Sequence, residues 1–135
     1  MLYYIRFALI GLVVGVMGFI GFLLSLLSPF NSNILISISW VISRISFWIL
    51  NTRVEIEDRD MLWDSHPSIY ISNHQTILDI LVGGYLAPFG AVSLAKKSVA
   101  KIPIWGWFYW LSGNILIDRK NKEEAKEILD KACEK

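Results

Sequence analysis

The sequence predicts a membrane-associated helical hairpin over residues 1–50, then an α/β unit with a mostly parallel sheet over residues 51–135. Three observations predict it. Residues 7–43 carry no charge, and the composition turns polar after Leu50. Beyond that point strand-like and helix-like segments alternate, which favours parallel strands joined by right-handed crossovers.

Hydrophobic residues make up 54% of the 135, with six Trp, more apolar character than a soluble domain of this length usually carries. Residues 7–27 form an uncharged, largely apolar run, and about 20 helical residues cross a hydrocarbon core of roughly 30 Å. A secretory signal would also place Arg6 before such a run, but this run exceeds an ordinary h-region and residues 25–30 offer no small-x-small cleavage site. Gly11, Gly15 and Gly18 share one helical face, which would admit a second helix, although glycine is common in membrane helices generally. Ser28-Pro29-Phe30-Asn31-Ser32-Asn33 is a turn signal. Residues 34–50 form the second arm, interrupted by Ser37, Ser39, Ser43, Arg44 and Ser46, and residues 36–40 alternate like a strand. This arm either returns through the bilayer or lies in the interface, and both arms dipping into one leaflet is a further arrangement.

In the second part, residues 54–57 alternate and predict a strand, as do residues 68–72, 91–95 and 114–118. Residues 77–86 predict a helix, and residues 96–110, holding Pro103 and Gly106, a broken one. Asn121 and Glu124 form a capping box before an apolar stripe of Ala125, Ile128, Leu129 and Ala132, which predicts a last helix.

The chemistry gathers at Asn73-His74-Gln75-Thr76-Ile77-Leu78-Asp79. A neutral imidazole accepts a hydroxyl proton near pH 7, and a carboxylate on its other nitrogen fixes the tautomer and stabilises the cation. Five residues apart on one helix, His74 and Asp79 would point roughly 140° apart. They meet if His74 lies in the turn after a strand and Asp79 in the first turn of the next helix. Thr76 supports that break as a helix cap, but Thr-x-x-Asp before an apolar run is also simply a common helix start. A second group follows two strand ends: Lys96 and Lys97 after one, Gly113 and Asp118-Arg119 at the other. Arg119 offers a planar fork matched to phosphate and lysine a point charge, though such residues are often plain solvated charges. Trp105, Trp107, Tyr109 and Trp110 lie between, suited either to a bilayer surface and an acyl chain or to packing. A net charge of +1 argues against a nucleic-acid surface. His66, His74 and the single Cys133 lack metal-ligand spacing.

Asn73-His74-x-x-x-x-Asp79 resembles the first signature block of the glycerolipid acyltransferases, and Gly113-x-x-x-Ile117-Asp118-Arg119 resembles the second. The chain as a whole looks most like the lysophosphatidate acyltransferases of bacterial type. The resemblance implies the first half of that family's α/β domain, with His74 as general base and Asp79 orienting it. It implies an acceptor site that includes Asn73, Lys96, Gly113 and Arg119, with Asp118 orienting Arg119. The implied substrates are lysophosphatidate and an acyl-CoA or acyl-carrier protein donor, with no cofactor and no metal. The implied location is the bacterial inner membrane, with the site on its cytoplasmic side. The family's third block, Glu-Gly-Thr-Arg, does not occur in these residues, so the expectation is a truncated domain with an open sheet edge. Another acceptor, glycerol 3-phosphate or a different lysophospholipid, would use the same pair, and a non-catalytic membrane-bound remnant is the alternative of another class.

Overall fold

The computed structural model describes residues 1–58, 68–73, 76, 78–118, 120, 123 and 126. In chain order the elements are α1 (Leu2–Leu27), α2 (Ser32–Leu50), α3 (Leu78–Leu86), β1 (Leu94–Lys96), a 3-10 turn (Lys97–Lys101), α4 (Trp105–Leu111) and β2 (Ile115–Ile117). The two N-terminal helices are long and apolar enough to cross a membrane. Local alternation in residues 36–40 is overridden there, and they form part of α2. The described chain divides into two compact units, residues 1–17 with 36–91, and residues 18–35 with 92–135.

In the first unit the core lies along α2, on Ile36, Ile38, Ile42 and Phe47. The serines that interrupt its apolar run receive α3. A Cβ on Gly84 would lie 3.0 Å from both Ser39 Cβ and Ser43 Oγ, so a larger residue would press α3 away from α2 by a few tenths of an ångström. Ser43 stays satisfied by donating to the Ser39 carbonyl at 2.7 Å, and Phe47 meets Tyr85 edge-on with ring centroids 5.9 Å apart. Exposed Arg44 rests over the Trp40 ring at 4.7 Å, which softens the placing of a charge in an apolar helix.

Two predicted strands are corrected. Residues 54–57 and 68–72 have no sheet partner among the described residues. Val54 and Ile56 do alternate in burial with Glu55 and Glu57, but Ile69 and Ile71 stand 77% and 92% exposed. Alternation tells which way side chains would face; a ladder needs a neighbour, which local pattern does not supply.

In the second unit β1 and β2 pair in parallel, Leu94 with Ile115, Ala95 with Leu116 and Lys96 with Ile117. The expected strands at 91–95 and 114–118 are therefore present in shortened form, and the broken helix over 96–110 is the 3-10 turn plus α4. The end of α1 packs on α4 through a matched series. Gly18 faces Trp105, Gly21 faces Phe108, and Ser25 bonds Ser112. The spacings are three and four residues on both helices, so the side chains of α4 enter a notch cut by missing side chains on α1. Phe108 is 0% exposed. The Ser112 hydroxyl donates to the Phe108 carbonyl at 2.7 Å, so Ser25 is the donor in the 3.2 Å contact between the two hydroxyls. Of the expected glycine face only Gly18 is used; Gly11 and Gly15 have nothing within 4 Å of a built Cβ. The predicted last helix lies outside the described residues, apart from Glu123 and Lys126, which are helical.

Candidate active site

The start of α3 is built by Thr76 and Asp79. The Leu78 N–H donates to Thr76 Oγ1 at 3.2 Å, while the Thr76 N–H donates to Asp79 Oδ2 at 2.7 Å. The Thr76 hydroxyl adds a longer contact to Oδ1 at 3.4 Å, and the Asp79 N–H donates to the Thr76 carbonyl at 3.2 Å. This is a reciprocal cap: each side chain satisfies a backbone donor of the other end. The carboxylate is thereby fixed in direction at the helix N-terminus, where the macrodipole favours its charge. An ionised carboxylate accepts about four hydrogen bonds, so capping and orienting an imidazole are compatible tasks. His74 and its neighbour Gln75 lie outside the described residues, whereas Asn73 is exposed in coil directly before them. Thr76→Ala is expected to lower stability by about 1 kcal/mol, read from denaturant midpoints in detergent.

Lys96 is exposed at the end of β1, opposite Ile117. Because the pair is parallel, the chain leaves β1 at Lys96 and β2 two residues before position 119 at one end of the sheet, the end where open α/β sheets place ligands. Arg119 itself is outside the described residues. Asp118 Oδ1 accepts the Lys120 N–H at 3.0 Å, which shapes the backbone on both sides of Arg119. Gly113 has φ +78, and a Cβ there would stand 3.2 Å from the Phe30 carbonyl oxygen. Phe30 in turn donates its N–H to the Leu111 carbonyl at 2.6 Å. The positive φ is what favours glycine at 113, and the backbone close to it is that of the turn between α1 and α2.

A family model described as Acyltransferase matches residues 53–135, which include both blocks. The chain belongs to the Acyltransferase family. It is 32% identical to a 1-acyl-sn-glycerol-3-phosphate acyltransferase of Saccharomyces cerevisiae over 98% of this chain and 45% of that protein. Proteins of the same description from Haemophilus influenzae and Cocos nucifera are 40% and 36% identical over 46% and 66% of the chain. They are matched over 26% and 28% of their own length, so the chain spans less than half of each of these relatives. No solved structure matches it.

Within the acyltransferase match the three tryptophans and the tyrosine of α4 divide their roles. Trp105 is packed on Gly18, and Tyr109 is tied to Ser93 just before β1, whereas Trp107 and Trp110 are 57% and 55% exposed. Trp107 pairs with Phe22 and Trp110 with Phe30. Burial pushes the Tyr109 phenol from its ordinary 10.0 to about 12, partly offset by its hydrogen bond with Ser93. A raised phenol pKa means the neutral form is favoured by folding. Its stabilisation is whole below pH 10 and is lost as pH rises through about 12. The denaturant midpoint is expected to fall across that window, with the decline reduced in Tyr109→Phe.

Sequence reasoning missed Ser39, Ser43 and Gly84, and also Gly21, Ser25 and Ser112. The three-and-four spacing shared by residues 18, 21, 25 and 105, 108, 112 was the available signal.

Proposed function

We propose that the protein carrying this chain transfers an acyl group from acyl-CoA or acyl-carrier protein to the sn-2 hydroxyl of 1-acyl-glycerol 3-phosphate, forming phosphatidate. The observation that carries the reading is the Asp79 carboxylate, fixed by Thr76 five residues after His74 in a chain whose relatives bear that description. His74, oriented by Asp79, takes the hydroxyl proton as the oxygen attacks the thioester carbonyl. The tetrahedral intermediate collapses by breaking the C–S bond, and the imidazolium returns its proton to the leaving thiolate. A thioester is already activated, so the reaction is written without a cofactor, a metal or a covalent enzyme intermediate. Lys96 and Arg119 hold the acceptor phosphate, and Asn73 and Gly113 are the further acceptor-binding residues that the resemblance implies.

The reading includes a membrane location, at a bacterial inner membrane with the chemistry on the cytoplasmic face. Attachment to a membrane is supported by α1 and α2, and by two outward tryptophans of the kind that settle at headgroup level. The chain is expected to stay in the membrane pellet after carbonate washing; recovery in the supernatant would overturn that location.

The activity test is a graft in which this chain replaces the matching stretch of the yeast relative. Labelled lysophosphatidate with acyl-CoA or acyl-carrier protein is expected to yield phosphatidate. Turnover with glycerol 3-phosphate alone would change the acceptor, and a folded, membrane-bound graft without transfer to any acceptor would refute the enzymatic reading.

A further inference from the structure

Ser93 precedes β1, and every polar atom it owns is engaged. Its N–H donates to Asn114 Oδ1 at 2.8 Å, and its carbonyl accepts the Ile115 N–H at 3.0 Å and the Tyr109 hydroxyl at 2.8 Å. Its own hydroxyl lies 3.0 Å from Asn114 Oδ1 and 2.7 Å from the phenol oxygen. The Asn114 oxygen therefore acts as an extra rung below the first strand pair, Leu94 with Ile115. Asn114 is 7% exposed, and its Nδ2 has no hydrogen-bond partner among the described residues. The amide orientation follows from chemistry, since the fixed Ser93 N–H requires an acceptor opposite it.

Each strand has three residues, too few to specify their own register firmly, and a slip of one residue turns every side chain to the other face. Such a slip would turn Lys96 away from its present side and shift the point at which the chain runs on to Arg119. We propose that Asn114, through its side-chain oxygen on Ser93 and with Tyr109 closing the other side, is a positioning residue that sets the β1–β2 register and so the direction of Lys96. Its link to catalysis rests on the reading of Lys96 and Arg119 as acceptor ligands.

The register is read directly by cysteine pairs in this chain, in detergent, with Cys133→Ser as background. Leu94→Cys with Ile115→Cys is expected to cross-link on oxidation, and Leu94→Cys with Leu116→Cys, on opposite faces, is not. Asn114→Ala is expected to abolish that preference while the helical circular dichroism of the chain is retained. Asn114→Asp, which keeps the oxygen and removes the unpaired amide nitrogen, is expected to preserve it. An unchanged preference in Asn114→Ala overturns the proposal, as does equal loss in Asn114→Asp, because the oxygen would then not be what holds the register. In the graft, Asn114→Ala is expected to raise KM for lysophosphatidate at least about tenfold, with KM for the acyl donor unchanged. A lost register with an unchanged acceptor KM would leave the register role standing and refute Lys96 as an acceptor ligand.

Discussion

His74→Ala in the graft is expected to lower phosphatidate formation by about 10²–10⁴-fold, the usual contribution of a positioned general base. Membrane retention and unfolding midpoint should be those of the parent. Asp79 gives the sharper experiment because its carboxylate has two tasks. Asn at 79 keeps a side-chain oxygen for the Thr76 N–H, now 2.7 Å from Oδ2, so the cap survives. It removes the charge that stabilises the imidazolium and can present a donor to the wrong ring nitrogen. Asp79→Asn is therefore expected to lose activity by orders of magnitude with stability nearly unchanged. Thr76→Ala is expected to show the opposite pattern, a loss of stability with much of the rate per folded molecule retained. Parental turnover in folded Asp79→Asn would remove the His–Asp pair from the mechanism.

The second large effect is expected at Gly21. A Cβ built there collides with the ring of Phe108, which is wholly buried. Alanine favours a helix over glycine by about 1 kcal/mol, yet Gly21→Ala is expected to destabilise by about 1–3 kcal/mol because the ring has nowhere to go. With Phe108→Ala as the background, the ring is gone and the same substitution is expected to become neutral or stabilising. A double-mutant cycle on unfolding in detergent measures that reversal of sign. Gly11→Ala and Gly15→Ala, with open space around them, are the controls expected to do no harm. If Gly21→Ala is as harmless as they are, the seating of α4 on α1 is not as described.

What the residues disclosed in advance was what depends on near neighbours. The uncharged run made α1, Thr76 and Asp79 made the start of α3, and Pro103 broke the segment before α4. What stayed hidden depends on partners far along the chain. The alternating residues 54–57 have the burial pattern of a strand but no ladder among the described residues. The serines of α2 looked like defects in an apolar arm until Gly84 supplied something to fit them. Gly113 was given a role only by the resemblance, on the acceptor side; that the Phe30 backbone lies against it required the turn between α1 and α2. His74 and Arg119, whose chemistry and motif spacing singled them out, lie outside the described residues, and the role of His74 is tested by the substitution above.

The bond between Ser25 and Ser112 joins residues 87 positions apart. At a synthesis rate of about 5–20 residues per second, roughly 4–17 s pass between the appearance of one hydroxyl and the other. Throughout that interval the notch at Gly18 and Gly21 has been made and its filler has not. The ribosome thus delivers α1 to its surroundings as a helix with a grooved face, which lipid or a chaperone must cover and later give up to Trp105 and Phe108. Slower translation of residues 26–112 prolongs that exposure, so yield of the folded chain should depend on codon choice in a stretch remote from the helix it protects.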